Sequence, residues 1–574
     1  MQPINKILKE KFCAACQAAN FPSCSIEIVT SSKEQFGHYQ CNAAMPLAKE
    51  LKMPPRQIAE KIVSNVEKGD EIHKLEIAGP GFINITLSPD FLSRQMNVMK
   101  NSETLGVPVP KTPEKVIVEF SSPNIAKELH VGHLRSTIIG DSIARLFEFM
   151  GQDVLRLNHI GDWGTSFGML IAHLKELAPE VIEGKETPGL LQLENWYKEA
   201  KKRFDDDPAF KKTSRLEVVA LQSGEPRARQ AWEVICNISR KAYQEIYDLL
   251  DVKLNERGES FYNPMLPQVI DDLEEKNIVQ ISDGAKCLFL EGFVNREGSP
   301  LPMIIQKSDG GYNYSTTDLA AIKHRIREEK ADRIIIVTDA GQKLHFKMIF
   351  AAAEKAGYLD PNKVQTDHVP FGLVLGTDGK KFQTRSGKTE KLIDLLNEAV
   401  RRAELIISER TRDIPEEEKK ALASSLGIGA IKYADLSCHR MSDYTFSYDR
   451  MLQFEGNTAA FMMYSYVRIQ GIKRKIGKEI NASENIHLAH QAEIALGLHL
   501  LRFSEVCVQM ALELLPNRLT EYLYLLAEKF NAFYRDCPVG GSKEEASRLQ
   551  LCELTARVLK QGLSILGVKT VPRM

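Results

Sequence analysis

The first hundred positions combine a helical and an alternating hydrophobic pattern. In "INKILKEKFCAACQA" the apolar side chains recur at helical spacing. That face is formed by Ile4, Ile7, Leu8, Phe12 and Ala15. The later stretch "LEIAGPGFINITLS" is typical of two strands around a Gly-Pro-Gly turn, and the proline-spaced "LGVPVPKTPEK" (105–115) is typical of a linker. The pattern therefore predicts an α+β module over about residues 1–105.

After the linker the pattern predicts a strand, a helix and a second strand. "KVIVEF" (115–120) is a short β-rich run, and "DVLRLN" resembles it about 35 residues later. Between them, apolar residues recur at the spacing of a helix that ends near Gly151. They are Ile138, Ile139, Ile143, Leu146, Phe147 and Met150. A βαβ unit of this length implies a parallel sheet.

The same alternation returns further along the chain. "RIIIVTDAGQ" runs from a strand into a loop, and "VPFGLVLG" precedes a loop rich in glycine and lysine. Residues of about 175–300 are mixed and acidic, so we expect an insertion there rather than part of the sheet's core. From 453 onward strand patterns cease, and successive amphipathic segments predict an all-α bundle. The fold class is thus multidomain α/β, divided at 1–105, 106–452 and 453–574.

Composition narrows the class of protein. The chain has 574 residues, of which 43% are hydrophobic and 26% are charged. It is too long to fold around a single hydrophobic core. Its net charge of −1 argues against a generally basic nucleic-acid coat, although a local basic face remains compatible. No apolar run is long enough to span a bilayer, and the N terminus lacks a signal-peptide core. We therefore expect a cytoplasmic protein with no membrane partner.

The cysteines do not predict a metal centre. The ten cysteines are scattered, as expected for reduced thiols rather than a disulfide framework. One C-x-x-C, Cys13 to Cys16, has neither a second cysteine pair nor a histidine pair nearby, and its helical context favours packing. We expect no structural zinc.

Two histidines in "SSPNIAKELHVGHLRST" (121–137) are the first candidates for chemistry. His130 and His133 lie between the strand at 115–120 and the start of the next helix. Ligands bind at this edge of a parallel sheet, where the N–H groups of a helix N terminus favour anions. Gly132 would let a phosphate approach the backbone closely. The alternatives are a metal pair, which lacks further ligands here, and two packed histidines.

A second candidate is the loop "GTDGKKFQTRSGK" (376–388). It is too rich in glycine for a regular element, and it carries four cations, Lys380, Lys381, Arg385 and Lys388. A charged loop is often no more than a solvated surface. Because this loop and the histidine loop are both expected in βα connections of the same sheet, phosphates are favoured as their shared ligand.

Longer strings carry a specific resemblance. "HVGH" is similar to the His-Ile-Gly-His signature of class I aminoacyl-tRNA synthetases, and "KFQTR" resembles their Lys-Met-Ser-Lys-Ser signature. "SPNIAKELHVGHLRSTIIGD", "NHIGDWGTSFGMLIAHL", "YNYSTTDLAA" and "FEGNTAAFMMYSYVR" resemble the arginyl-tRNA synthetase family, bacterial members in particular. The resemblance covers essentially the whole chain. It implies a Rossmann-like catalytic domain flanked by a D-loop (elbow) binding module and a helical anticodon-binding domain.

The resemblance implies an arginine–tRNA ligase with ATP as substrate. Arginine's carboxylate attacks the α-phosphorus of ATP, and the 2′-OH of the terminal adenosine of tRNA(Arg) then takes the arginyl group. His130, Gly132, His133 and Lys381 would bind the phosphates together with Mg²⁺. Thr384 stands where the signature has its second lysine. Lys127, just before the first signature, is the expected substitute, and Arg385 is the alternative.

The resemblance also assigns the remaining contacts. The implied arginine ligands are Glu119, Asn124, His130, Tyr314, Asp318 and Gln342. The implied tRNA contacts are Phe82 and Asn84 in the N-terminal module and Tyr464 and Met574 in the helical domain. We expect a monomer. The competing readings are a small nucleotidylyltransferase, which the chain length disfavours, and an inactive RNA-binding paralogue, which the intact signature residues disfavour.

Overall fold

A computed structural model describes the chain except for residues 23–25, 32, 34, 35, 377, 381, 383–390, 411–413, 478, 479 and 482. It contains two compact units. One combines Met1–Lys111 with Gln453–Met574, and the other is Thr112–Leu452. The N-terminal module and the C-terminal helices therefore share a unit, and the parallel-sheet region forms the α/β unit.

The N-terminal module is a small antiparallel sheet with helices, as the alternating pattern predicts. Its sheet has the order β1-β2-β4-β3. The helices are Ile4–Ala18 (α1), Ala44–Leu51 (α2), Pro55–Asn65 (α3) and Pro89–Lys100 (α4), and the strands are Ile28–Thr30 (β1), Tyr39–Cys41 (β2), Ile72–Ala78 (β3) and Phe82–Leu87 (β4). The predicted face of α1 is buried at Ile4, Leu8, Phe12 and Ala15.

The described strands of the α/β unit are Lys115–Glu119 (β5), Asp153–Asn158 (β6), Asn255–Glu256 (β7), Val279–Ser282 (β8), Ala285–Val294 (β9), Pro300–Gln306 (β10), Arg333–Asp339 (β11), Gln365–Phe371 (β12), Val374–Leu375 (β13) and Tyr444–Thr445 (β14). Five of them form its central parallel sheet, in the order β12-β11-β5-β6-β7. Val116, Ile117 and Val118 are fully buried. A central parallel strand is covered on both faces, which explains the unbroken apolar run.

Helices cover the sheet and form the segments around it. They are Val131–Phe149 (α5), Thr165–Leu177 (α6), Pro179–Ile182 (α7), Leu190–Asp206 (α8), Pro208–Gln222 (α9), Pro226–Leu249 (α10), Leu266–Glu275 (α11), Tyr314–Arg327 (α12), Lys343–Lys355 (α13), Leu392–Arg410 (α14), Glu416–Ser437 (α15) and Tyr448–Met451 (α16). Short 3-10 helices at Glu259–Met265 and Ala340–Gln342 follow β7 and β11.

Two features of the α/β unit differ from the sequence interpretation. The span of about 175–300 supplies the edge strand β7, and its Tyr262, Leu266 and Val269 pack in one core with Ile117 of β5. The span also carries the antiparallel sheet β10-β9-β8. In addition, the loop at 376–388 follows β13, which pairs with β14 in a separate two-stranded sheet.

The C-terminal helices have the predicted all-α organisation. They are Ala459–Ile476 (α17), Gln491–Leu501 (α18), Phe503–Glu513 (α19), Asn517–Asp536 (α20) and Glu545–Ile565 (α21). The stretch Gln491–Glu513 is long and apolar enough to cross a membrane by those criteria alone, with a mean hydropathy of 1.3. The sequence interpretation did not identify this stretch, and 61% of its 18-residue apolar window is buried inside the structure, as in a core helix.

A half-buried carboxylate joins the module to these helices within their shared unit. Glu505 Oε1 accepts from the backbone N–H of Asn5 and from the Tyr39 hydroxyl, each at 2.9 Å. Arg502 donates to the His38 carbonyl at 2.7 Å and lies over the Tyr39 ring. Burial raises the pKa of Glu505, and the hydrogen bonds from Asn5 and Tyr39 oppose that shift because they favour the charged carboxylate.

We expect Arg135→Met to destabilise the α/β unit by about 3–5 kcal/mol, because it removes the cation of a buried ion pair. Arg135 Nε lies 3.1 Å from Asp435 Oδ2, and both side chains are buried. Guanidinium unfolding measures the change. The control is Arg401→Met, whose pairing with Glu398 is at the surface and should cost nothing measurable. Equal unfolding midpoints for the two variants would contradict the assignment.

We expect His499 to make the unit that contains the C-terminal helices sensitive to acid. The ring lies 2.9 Å from the Tyr522 carbonyl, and burial lowers its pKa to about 3. Because the pKa is lower in the folded state, the stabilisation contributed by the neutral His499 ring is fully present above about pH 6.5. It is lost as the pH falls toward 3.

Unfolding of the wild type and of His499→Gln, each near pH 7.5 and near pH 5, tests this. The wild type should lose about 2 kcal/mol more than the variant over that interval. His73→Gln, at an exposed position on β3, is the matched control and should behave as the wild type. If His499→Gln loses as much stability between these two pH values as the wild type, His499 is not the cause of the acid sensitivity.

Candidate active site

The two signature histidines cap the N terminus of α5 reciprocally. His130 is the N-cap residue, and its Nδ1 accepts from the backbone N–H of Gly132 at 3.1 Å. His133 Nδ1 in turn accepts from the backbone N–H of His130 at 3.2 Å. An imidazole that accepts through Nδ1 and is neutral carries its proton on Nε2. Both rings are thereby fixed in one tautomer, with an N–H donor at the helix N terminus.

Burial keeps His133 neutral. Desolvation, assisted by the charge of Lys127, lowers the pKa of His133 to about 3. The two rings lie 4.1 Å apart between centroids. Gly132 is required for this arrangement, because a Cβ at that position would lie 2.9 Å from Cε1 of His130. The glycine thus makes room for the histidine ring itself, a reason that the sequence interpretation did not include.

The loop between β5 and α5 has an unusual backbone. Ser121, Ser122 and Ala126 have φ of 70°, 45° and 63°, the left-handed region that side-chain-bearing residues rarely adopt. At Asn124 the loop pairs with Gly161, where a Cβ would lie 2.1 Å from Asn124 Oδ1. The close approach explains the glycine at 161. Asn124 and Lys127 are both exposed on this loop.

The second predicted loop has both described ends anchored. At its start the Phe382 N–H donates to the Val374 carbonyl at 3.0 Å. At its end Lys391 lies 2.9 Å from Glu128, and its backbone forms a bridge with His130. The predicted residues Lys381, Thr384, Arg385 and Lys388 lie outside the described residues. Lys380 is described and exposed.

The two predicted arginine-binding carboxylates both have protein partners. Glu119, which ends β5 and is 7% exposed, accepts from Arg325 Nη2 at 2.6 Å through Oε2. Asp318 lies on α12, and its Oδ2 is 2.6 Å from His345 Nε2. Each carboxylate therefore has one oxygen engaged and a second oxygen, Oε1 or Oδ1, for another partner.

The surroundings of these carboxylates favour a cation. Burial, with the negative charges of Asp318 and Asp162, raises the pKa of Glu259 to about 8. The Tyr314 side chain is 60% exposed and lies edge-on to the His345 ring, with 5.0 Å between centroids. Gln342 ends the 3-10 helix after β11 and is exposed. A positively charged planar group would balance the acidic cluster and could stack on an exposed aromatic ring.

The sequence interpretation missed several residues of the site. Arg325 lies two turns after Asp318 on α12, a spacing that could have indicated a shared face. His345 follows a different strand, and no local pattern in the sequence connects it to Asp318. Glu259 also lacked a sequence pattern of its own, since it lies in the span interpreted as an insertion.

The residues predicted to contact tRNA lie in the other compact unit. Phe82 begins β4 and is half-buried. Asn84 is only 6% exposed, and its side-chain oxygen accepts from Gln40 at 2.8 Å. Tyr464 is 45% exposed on α17, and Met574 is half-buried at the C terminus. Cys13 and Cys16 lie on α1, and within the described part of the chain no three His, Cys, Asp or Glu side chains form a metal-binding group.

Family models match nearly the whole chain. Residues 4–87 match "Arginyl tRNA synthetase N terminal domain", residues 96–448 match "tRNA synthetases class I (R), catalytic domain", and residues 462–574 match "DALR anticodon binding domain". The catalytic model alone covers more than half of the chain. All three matches belong to the family that the signature strings resemble.

Full-length relatives and solved structures agree with these matches. The arginine–tRNA ligase of Protochlamydia amoebophila is 63% identical over 96% of this chain and 95% of its own length. That of Trichodesmium erythraeum is 51% identical over the full length of both. The arginyl-tRNA synthetase structures from Plasmodium falciparum and Thermus thermophilus cover 100% of both chains, at TM-scores of 0.88 and 0.82 and identities of 37% and 25%.

The fold prediction is confirmed by these structures and by the parallel sheet with its flanking α+β and all-α parts. The predicted activity is confirmed by the relatives, which are arginine–tRNA ligases over their full lengths. The chain therefore belongs to the arginyl-tRNA synthetase family, the class I ligases that use ATP to join arginine to its tRNA.

Proposed function

We propose that adenylate formation takes place at the carboxyl ends of β5 and β11, with the α-phosphate of ATP at the N terminus of α5. The observation that supports this most is the reciprocal cap, which holds the two signature imidazoles through their Nδ1 atoms at the N terminus of α5. Neutral donors and a helix N terminus stabilise phosphate charge without occupying the space of a cation.

The first step exchanges one bond for another at the α-phosphorus. A carboxylate oxygen of arginine bonds to phosphorus, and the bond to the bridging oxygen breaks, releasing pyrophosphate. Charge grows on the phosphate oxygens during this exchange, so donors aimed at them accelerate it. In this proposal His130, His133 and Lys127 supply that stabilisation, together with Lys381. Arg385 is the alternative to Lys127, because Thr384 replaces the signature's second lysine.

In the same proposal arginine is held by its two charged ends. Glu119 Oε1 and Asp318 Oδ1 accept N–H groups of the guanidinium, which supplies several donors in one plane. Tyr314 packs on its face, and Gln342 closes the side. Asn124 and His130 hold the α-amino and carboxylate end, which points the reacting oxygen toward the phosphate.

The second step transfers the arginyl group. The 2′-OH of the terminal adenosine of tRNA attacks the carbonyl carbon, and AMP leaves. Phe82 and Asn84 are proposed as contacts to the D-loop, and Tyr464 and Met574 as contacts to the anticodon, where splayed bases are read by stacking. We retain the division at 1–105, 106–452 and 453–574 for these roles.

The remaining proposals concern the enzyme as a whole. Mg²⁺ accompanies the ATP phosphates, whose oxygens suit this hard cation, and it would add to the stabilisation of their charge. We propose that the enzyme is a cytoplasmic monomer with no membrane partner. The family's reactants, tRNA(Arg), L-arginine and ATP, are then its main ligands.

Lys127→Ala tests the assignment of the phosphate-binding lysine. We expect adenylate formation to slow by about 10²-fold, the loss typical for one transition-state donor, while the arginine KM changes little. Arginine-dependent ATP–pyrophosphate exchange in the presence of tRNA(Arg) measures both constants. Lys363→Ala, a surface lysine of the same unit outside both candidate loops, is the control. A Lys127→Ala rate near that of the wild type assigns the role elsewhere, with Arg385→Ala as the next variant.

Glu119→Gln tests the arginine pocket. The amide keeps the shape but removes the charge that faces the guanidinium, so we expect the arginine KM to rise by about 10-fold or more, equivalent to a lost charged hydrogen bond. The ATP KM should stay within about twofold. Because the change also leaves Arg325 without its anionic partner, circular dichroism is used to check that the variant is folded. An unchanged arginine KM in a folded variant is inconsistent with this pocket.

A further inference from the structure

The loop that carries Asn124 and Lys127 is held by one face of a distant helix. Ser239, Tyr243 and Tyr247 are spaced four residues apart on α10 and therefore share a face of the helix. All three are nearly completely buried, with exposures of 0%, 3% and 5%. Buried hydroxyls at helical spacing on an otherwise apolar face require partners, because an unsatisfied polar group in the core is costly.

Every one of these hydroxyls contacts the loop. Tyr247 Oη lies 2.8 Å from Ser121 Oγ. Tyr243 Oη lies 2.8 Å from the Asn124 carbonyl and 2.7 Å from the Lys127 carbonyl, so its single proton is shared between them. The backbone N–H of Ala126 donates to Ser239 Oγ at 3.0 Å. We call these three residues of α10 the hydroxyl ladder.

The loop needs such support because its backbone is strained. Ser121 and Ala126, both bonded to the ladder, have left-handed φ of 70° and 63°. A residue with a Cβ leaves that region unless surrounding contacts hold it there. The Tyr243 hydroxyl contacts the carbonyls on either side of the Ile125–Ala126 dipeptide, and Ser239 holds the N–H inside it. Loss of either hydroxyl should let this segment relax.

The helices around the loop also contact the side chain of Lys127. Its ammonium lies 5.9 Å from the centroid of the Tyr197 ring of α8, at the distance of a cation–π contact. The backbone of Lys127 is thus held from α10 and its side chain from α8. Both helices belong to the span of about 175–300 that the sequence pattern sets apart from the sheet.

We infer that the hydroxyl ladder Ser239–Tyr243–Tyr247 positions the 121–127 loop for adenylate formation, so that α10 belongs to the catalytic apparatus without touching a substrate. The inference rests on the proposed role of this loop. A misplacement of about 1 Å can cost 10²-fold in rate, so hydrogen bonds to the loop backbone are sufficient to affect catalysis.

Tyr243→Phe is the direct test, because it removes one hydroxyl and keeps the ring in the core. We expect kcat for arginine-dependent ATP–pyrophosphate exchange, with tRNA(Arg) present, to fall by about tenfold or more. The KM values for arginine and ATP should change much less than kcat, since the proposed carboxylate and histidine ligands lie outside this loop. Ser239→Ala should show the same division between kcat and KM, and it decides the question if Tyr243→Phe does not fold.

Tyr358→Phe is the matched control. Its hydroxyl is also largely buried and donates to Asp272 at 2.7 Å, in the same unit but in a different part of the core. A general loss of stability would affect both variants, so thermal unfolding of each is measured alongside activity. The inference is overturned if Tyr243→Phe keeps kcat within twofold of the wild type, or if Tyr358→Phe lowers kcat as much.

Lys127→Ala, assayed in parallel, separates this inference from the proposed function. If Tyr243→Phe is slow and Lys127→Ala has a normal rate, Lys127 does not have its proposed role. The hydroxyl ladder then supports Asn124 and the rest of the loop. If Tyr243→Phe has a normal rate and Lys127→Ala is slow, the inference about the hydroxyl ladder is wrong and the role proposed for Lys127 stands.

Discussion

The proposed catalytic centre depends on the reciprocal hydrogen bonds between His130 and His133. Each ring accepts a backbone N–H through Nδ1, so the cap of α5 and the tautomer of both imidazoles are fixed by the same contacts. Burial keeps His133 neutral, with its pKa lowered to about 3. Gly132 is part of this constraint, because any side chain there would meet the His130 ring. The result is a pair of fixed imidazoles at a helix N terminus, the position proposed for a phosphate whose charge changes during reaction.

The proposed arginine pocket is built from carboxylates that have protein partners. Glu119 is paired with Arg325 and Asp318 with His345, and burial, with the charges of Asp318 and Asp162, raises the pKa of Glu259 to about 8. A guanidinium bound here would favour the charged forms of these carboxyl groups. Because each pairing uses one carboxylate oxygen, the protein partners orient the carboxylates and leave oxygens for the substrate. Orientation by fixed neighbours is what distinguishes this pocket from a patch of surface acids.

Much of the architecture could be predicted from the sequence, since strong periodicity reports burial. The run "KVIVEF" and the helix after it are found as β5 and α5, and the loss of strand patterns after 453 corresponds to helices alone. The two-residue strand β7 could not be predicted, because so short an element has no period. The Glu119–Arg325 pair and the hydroxyl ladder on α10 were also missed, because they join residues far apart in the chain whose contact only the tertiary fold creates.

Single-turnover formation of arginyl-adenylate by His133→Asn, with tRNA(Arg) present, tests the central claim most directly. Asparagine retains an oxygen that can accept the His130 N–H, so the cap of α5 remains, but it lacks the Nε2–H donor. We predict a rate lower by about 10²-fold or more, as for the loss of one oxyanion-type donor, with the arginine affinity unchanged. A folded variant with a rate within about threefold of the wild type would contradict the account.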